Sequence, residues 1–487
     1  MIISLSVLVI TIIVSGTYAL YKAQLSKNIG VNTTTHGLAY YINYVKGTDI
    51  TAATLNPSTT YEGGASSDIE FWKKDDSYDI YGKIELTVNT IGTNLSNSPA
   101  IKYAVVNNGN VLKQGSLKGT TSGSKVTILK NLYLEQTKQI YTVYVWLDNS
   151  EELGNISNES LSISVDCTAS LQKDATAVSY ITDLYTNASK TTVTNNNIGY
   201  NIASSVSLMN DRMGGTTTDL DGGNIRYYGA SPNNYIYFNC TSYPSTGCEL
   251  WRIIGVFDGK LKIIRNTPIG NLAWDQDKND DSTKTTYDND WSTATLQKLL
   301  NGSYYNGTGT ITYYSNLGET TSTLNMTNIG LKNDTTRNMI EKTIWNLGGW
   351  NTSEIYSNQI YQYERGTTVY TGRSTTWTGK IALPYPSDYG YAEDFENGIN
   401  ATLNSYDNST KNWMRATITA NSADYGWLLT HNSSNSNNAW YVHYDGDAHE
   451  YFSTYDVLGV EPTLYLSPDV NIEGGSGTSS SPYTLSF

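Results

Sequence analysis

The chain has 487 residues, a formal net charge of −14 and a charged fraction of only 16%. That balance argues against a nucleic-acid partner, because phosphate binding needs clustered Lys and Arg and no such cluster is present. Tyr (40) far outnumbers Phe (6) and Gly reaches 41; with abundant Asn, Ser and Thr, this composition predicts a surface-exposed protein of half-buried strands and turns.

Ile2 to Val14 is apolar, long enough for a signal-peptide core and short for a membrane span. Thr17-Tyr18-Ala19 places small residues where a signal peptidase cuts. No Lys or Arg precedes the apolar run, so residues 1–19 read as a signal peptide or as an uncleaved anchor, the only membrane attachment expected. The protein is therefore expected to be exported, at the cell surface or secreted. Residues 20–36 read as a polar linker.

Residues 37–168 carry six predicted strands: 37–45, 81–91, 100–107, 125–134, 139–148 and 160–167. Alternation is clear in "IYTVYVWL" and "LSISV", and short strands at this spacing predict a β-sandwich, Ig-like or jelly-roll-like. Together with the "GTYA" end of the leader, the stretch resembles exported sandwich domains of bacterial surface and matrix-fibre proteins. Cys167, in the last strand, reads as a buried thiol. Residues 169–190 form a helical linker, with the helix at "TAVSYITDLYTN".

A larger domain, 191–487, follows. Its first 25 residues include "NIASSVSLMNDRMGG", which looks helical and stops at Gly214. Cys240 and Cys248 flank "TSYPSTG" between two strand-like runs, and a disulfide closing them suits an oxidising compartment. "LWRIIGVFDGKLKIIR" predicts a hairpin turning at Asp258-Gly259. "NDWSTATLQKLLNG" predicts a helix capped by Ser292 or Asp290, with Leu296, Leu299 and Leu300 on one face and Gly302 at its end. "TTRNMIEKTIWNLGG" predicts another, with Met339, Ile340, Ile344 and Leu347 inward. A long Gly-, Tyr- and Pro-rich stretch, 363–392, has the character of functional loop, and two strands close the chain.

The runs "WRIIGVFDGKLKIIR", "DWSTATLQKLLNGSYYN", "YGWLLT", "AWYVHYDGDA" and "GVEPTLYLS", in that order, resemble a bacterial surface-domain family with a C-type-lectin-like fold. Formylglycine-generating enzymes and the variable proteins of diversity-generating retroelements share that fold. The match covers roughly residues 191–468 and implies an α+β domain after a mainly β sandwich. Glu461 stands where the family often has Arg. No Cys lies beyond 248, so the formylglycine chemistry does not carry over. Glu461-Pro462-Thr463 and Asn289-Asp290-Trp291 are not calcium-lectin motifs either, so fold alone transfers no function. In retroelement variable proteins, adenine mutation converts Asn codons to Tyr, His, Asp, Ser or Thr. Positions such as Asn437, Asn438, Thr454 and Asp456 belong to that set, as do the histidines of 431–449.

Three of the four histidines, His431, His443 and His449, lie in "HNSSNSNNAWYVHYDGDAHEYF". Asp445-Gly446 marks a turn. A two-residue loop would set His443 and His449 on opposite faces. A three-residue loop, Tyr444-Asp445-Gly446, pairs Val442 with Ala448 and His443 with Asp447. We prefer the latter, because it keeps Trp440, Val442, Ala448 and Phe452 on the core side, although it also sends Glu450 there. Tyr441, His443, Asp447, His449, Tyr451, Ser453 and Tyr455 then form an outer face.

Nothing in this stretch is spaced like a zinc motif, and no nucleophile elbow accompanies its Ser, His and Asp residues. Tyr, Ser, Asn and Gly are the residues of antibody paratopes, so the outer face reads as a ligand-binding surface. Asn437, His431, Arg373 and Trp377 extend it, with Trp350 a further candidate, since Trp and Arg are frequent hot spots. Core packing is the competing role for the two tryptophans. The function expected is recognition of an extracellular protein or glycan, without covalent chemistry, metal or cofactor. The alternatives are a glycan hydrolase using Glu364, Asp388, Glu393 and Asp394, which otherwise read as solvated loop charges, and a structural subunit of a surface fibre.

Overall fold

A computed structural model describes residues 23–24 and 38–487, apart from 52–54, 157, 172–174, 276–287, 317–319, 396–400, 406–410 and 420–424. The expected leader, 1–19, and most of the linker, 20–36, lie outside the described residues. The protein is mainly β, with 42% strand against 18% helix. The chain divides into two compact units, Met1–Asp174 and Ala175–Phe487.

The first unit is built from two sheets. One runs in the order Ala23–Gln24, Leu161–Ser170, Tyr81–Ile91, Lys125–Tyr133, and the other Ile42–Val45, Ala65–Lys73, Ile140–Asp148, Ile101–Asn107, Asn110–Ser116. A single hydrophobic cluster draws on both, with Ile84, Leu86, Ile163 and Val165 from the first and Ile69, Phe71, Tyr103, Val105, Val143 and Val145 from the second. The inward positions alternate along each strand because successive side chains point to opposite faces. Cys167 is a buried free thiol in this core.

The strands Asn110–Ser116 and Ala65–Lys73 and the pairing of Ala23–Gln24 escaped the sequence pattern. Ala65–Lys73 is a full strand whose inward positions include Ser67 and Lys73 beside Ile69 and Phe71. Those two polar residues break the apolar alternation. Lys73 is tolerated because Nζ donates to the Tyr133 hydroxyl at 2.9 Å and pairs with Asp76 at 2.9 Å, while its stem packs like an apolar side chain. Ala23 and Gln24, expected in the linker, pair instead with Ala169 and Thr168.

The second unit contains a nine-stranded sheet. Its order is Thr191–Asn195, Ile198–Ala203, Leu208–Asn210, Ile225–Tyr227, Glu249–Phe257, Lys260–Arg265, Thr463–Leu466 and Ile381–Ala382, with Tyr235–Phe238 also against Glu249–Phe257. The hairpin turns at Asp258 and Gly259, both at positive φ (48° and 70°), as a tight two-residue turn requires. Cys240 and Cys248 are joined by a disulfide. The helix Ala177–Asn187, expected to be a linker, is part of this unit. Thr176 Oγ1 accepts from Ser179 N at its start, and Ala177, Ile181 and Tyr185 enter the core at helical spacing.

Three predicted helices differ from the structure. Residues 201–215 form no continuous helix: strand ends flank a 3-10 turn at Ser204–Val206, and Arg212–Gly215 is one helical turn broken by left-handed Met213 and Gly214; Asn210 and Asp211 accept from the amides of Arg212 and Met213, and such local bonds compete with a helix. The helix predicted over 289–302 starts later, at Thr295, where Asp275 Oδ1, 20 residues away, accepts from the Thr295 amide at 3.0 Å. It runs through Gly302 and stops at Gly307, whose φ is +65°. Leu296, Leu299 and Leu300 are buried as their spacing suggested. The helix predicted over 335–349 ends at Asn338, and Thr343–Asn346 is a strand. Strand alternation puts Trp345 inside (1% exposed) and Ile344 outside (64%), reversing the expectation for Ile344.

Candidate functional site

The histidine-bearing segment lies in a five-stranded sheet ordered Asn271–Leu272, Leu458–Gly459, Tyr425–His431, Asn438–His443, Ala448–Ser453. Val442 pairs with Ala448, and the His443 amide donates to Asp447 O at 2.8 Å. Tyr444, Asp445 and Gly446 form the turn, with Gly446 at φ +104°, so the three-residue loop is the observed one. Two bonds from other elements hold it. Arg415 Nη2 donates to Tyr444 O and the Tyr389 hydroxyl donates to Gly446 O, both at 2.6 Å.

Both faces of this sheet are packed. Leu428, Trp440, Val442 and Ala448 enter one hydrophobic cluster, and Trp427, Leu429, Ala439 and Tyr441 enter another. Tyr441 is therefore 1% exposed, which corrects its placement on an outer face. A bulge explains part of this. Ala439 pairs with Phe452 and Tyr441 with His449, so Trp440 is opposed by both Glu450 and Tyr451. One extra residue shifts every side chain beyond it to the other face. Phe452 thus lies beside Tyr441, with ring centroids 4.6 Å apart, not on the Val442 side.

Around Tyr441 the rings form a continuous cluster. Tyr425 lies 5.9 Å from Tyr441, 5.0 Å from His443 and 5.3 Å from Phe452. His449 lies 5.8 Å from Tyr441 and 5.1 Å from Tyr451. Tyr444 and Tyr451, each 55% exposed, are its outward members.

The polar groups beside them are already organised. His443 Nδ1 is 2.6 Å from Asp445 Oδ1, and Asp445 also accepts from the Asp447 amide. Burial raises the Asp445 carboxyl, but these bonds outweigh it and hold the group below the usual carboxylate range. Burial lowers His449, partly offset by Asp447, 4.0 Å away. His449 Nδ1 lies 3.4 Å from Ser353 Oγ. Among the described residues no group of three or more His, Cys, Asp or Glu is arranged to hold a metal ion.

The remaining predicted residues do not join this patch. His431 is buried at 4% exposure and accepts at Nε2 from the Tyr370 amide; burial pushes its imidazole down to about 4. Asn437 is half-buried in the loop between the two long strands, and Ser453 pairs with Asn438 beside it. Tyr455, half-buried, accepts at its backbone oxygen from the Asn316 amide. These residues lie at the far end of the 438–443 strand from the His443–Asp447 turn, roughly 20 Å away at about 3.4 Å per residue.

Arg373 serves the architecture of that far loop. Its Nε donates to Asn289 Oδ1 at 3.1 Å and Nη2 to Ser436 O at 2.9 Å. Asn289 Nδ2 in turn donates to the carbonyls of Asn432, Asn435 and Asn438. Trp377 packs edge-on against Trp291, 6.3 Å between centroids, and Trp350 stacks on Tyr363 at 3.7 Å. Neither Asn289 nor Tyr444 stands out in the sequence as a site residue. The Asn-Ser-rich loop that follows His431 was the one signal that a fixed anchor was needed.

Three of the four carboxylates expected as solvated loop charges are buried, and Asp394 is half-buried. Glu364, Asp388 and Glu393 are 0%, 1% and 2% exposed. Asp388 sits between Lys262 Nζ and Arg226 Nη1, and accepts from the Tyr385 amide at 3.0 Å. Burial pushes Asp388 up, but the two cations bring it below its ordinary value; burial lowers Lys262 to about 8. Glu364 accepts from the Ser387 amide and hydroxyl and pairs with Arg365, and burial raises its carboxyl. Arg226 also binds Asp211 at 2.7 Å.

No family model matches the chain, and no curated protein matches it. Among solved structures it is similar to a mutant of HCR/D, at 12% identity over 51% of this chain and 74% of that one, with a TM-score of 0.15. It is also similar to the receptor binding domain of botulinum neurotoxin mosaic serotype C/D, at 11% identity over 51% and 73%, with a TM-score of 0.15. Likenesses at that score carry no argument about fold or ligand.

Proposed function

We propose that the second unit, read as an α+β C-type-lectin-like domain, recognises an extracellular protein or glycan through the turn end of the 438–453 hairpin. The observation that carries this is the pairing of two half-exposed tyrosines, Tyr444 and Tyr451, with a turn fixed by Arg415 and Tyr389. Rigid aromatic rings contribute large contact area at low entropic cost, and a held turn spares the ordering penalty of binding. His443, His449, Asp445 and Asp447 supply directional hydrogen bonds at the rim. Export through residues 1–19 is part of the same reading. The role is recognition without bond making, and it does not draw on the buried carboxylates.

The test is a screen of the full chain against a glycan array and immobilised extracellular proteins. A specific hit should be lost in the Tyr444→Ala/Tyr451→Ala double variant while Arg415 and the core stay intact. A hit that survives both substitutions in a folded protein removes this assignment.

A further inference from the structure

The second unit has a cleft of about 160 Å³ away from the hairpin, beside the Asp258-Gly259 turn. Tyr361, Tyr385 and Tyr465 line it with Arg365, and Lys260 and Ile344 stand at its edge. Arg365 follows directly on the helix Ser357–Glu364. Its guanidinium stacks on the Tyr361 ring, 3.5 Å from carbon to centroid. Nη1 donates to Glu364 Oε2 at 3.1 Å and to Tyr361 O at 3.3 Å. Among the described residues those are its hydrogen bonds, so the Nε and Nη2 edge is unspent. The side chain keeps 24% of its exposure.

Neutralising the buried Glu364 accounts for Nη1 alone. A lysine would serve that purpose as a point charge, whereas a stacked guanidinium with one open edge matches a carboxylate fork. The cations Arg226, Lys262 and Arg365 are balanced by Asp211, Asp388 and Glu364. The cleft's own rim adds Lys260 and one carboxylate, Asp258, so the charges are matched and Arg365 is set apart by its open donor edge, not by an excess of charge. The volume is well below that of a drug-sized site and suits one small, ring-sized group.

We infer that this cleft is a binding site for a small carboxylate-bearing sugar, with Arg365 forking the carboxylate. It is separate from the hairpin surface.

The experiment titrates the full chain with glucuronate and, as the neutral control, glucose, by calorimetry. Glucuronate should bind saturably and glucose at least about tenfold more weakly, the loss expected for a charge-assisted fork. Ile344→Trp narrows the mouth from an exposed position and leaves the ion pairs untouched; it should weaken glucuronate about tenfold or more. Arg365→Lys keeps a charge beside Glu364 but removes the fork, with the same expected loss; should it fail to fold, Ile344→Trp decides. Tyr451→Ala should leave glucuronate binding unchanged. The inference is overturned by absent or non-saturable glucuronate binding, by equal binding of glucose, by full binding in folded Ile344→Trp, or by loss of binding in Tyr451→Ala.

Discussion

The two units bury their interiors by different means. In the first, aliphatic residues alternate along the strands, and Lys73 is the charged residue buried there among the described residues. In the second, Trp251, Trp274, Trp291, Trp345, Trp413, Trp427 and Trp440 are fully buried, together with Asp211, Arg226, Lys262, Glu364, Asp388 and Glu461. An aliphatic core is stabilised by area removed from water and tolerates local change. A core of aromatic rings and ion pairs depends on mutual geometry, because a buried charge left without its partner is costly. The second unit should therefore be the more brittle.

The strongest test of that contrast is Asp388→Ala, which leaves Lys262 and Arg226 facing an empty position. It should cost the second unit about 3–5 kcal/mol, read by urea denaturation followed through tryptophan fluorescence. A loss below about 1 kcal/mol would place Asp388 outside the core's support. Within the hairpin, Tyr441→Ala should cost about 3–5 kcal/mol, as for other buried rings. Tyr451→Ala should change stability by no more than about 0.5 kcal/mol. Equal losses from the two would contradict the division between packed and presented tyrosines.

Acid sharpens the contrast next. His431 titrates near about 4 when folded and near its ordinary value of about 6.5 when unfolded. Between those values the unfolded chain binds more protons, so stability falls as pH drops from about 6.5 to about 4, by at most ~3 kcal/mol. His431→Asn should flatten that slope in a pH series of melting curves. Glu461 works in the opposite sense. It is fully buried, neither carboxylate oxygen has a partner among the described residues, and burial raises its carboxyl well above the ordinary value. The folded state holds its proton longer, so stability declines as pH rises above the unfolded value. Glu461→Met should remove that decline and stabilise the unit by about 1–3 kcal/mol at neutral pH. At the weak end, Lys73→Met in the first unit should leave the denaturation midpoint unchanged, since its stem already packs as an apolar side chain and Asp76, its partner, is solvent-exposed.

The same difference governs what could be read without coordinates. Strands such as Tyr81–Ile91 and Ile140–Asp148 show their period because one face meets the core and the other does not. Ala65–Lys73 went unread as a strand because Ser67 and Lys73 took inward positions. In the second unit, Ile340, Ile344 and Leu347 stand at helical spacing across Thr343–Asn346, yet pairing with Thr376–Gly379 makes Trp345 the inward residue. No local signal records that pairing. The cap of the helix at Thr295 comes from Asp275, and the loop anchor for Asn432–Asn438 comes from Asn289; both are long-range partners.

At the hairpin, turn chemistry made the register of Val442 and Ala448 legible. The bulge opposite Trp440 was not, and it turns Phe452 onto the Tyr441 face, which packs into a hydrophobic cluster while Tyr444 and Tyr451 stay exposed. Arg373 and His431 looked like recognition residues by type, but the long-range bonds of one and the burial of the other tie them to architecture.

The central claim is that the hairpin's turn end, and not its buried face, meets the ligand. The direct measurement is the affinity of the best array hit for the full chain and for Tyr444→Ala/Tyr451→Ala, at matched fold and pH. Removal of two aromatic hot spots should weaken binding about a hundredfold or more. Undiminished affinity in a folded double variant would contradict it.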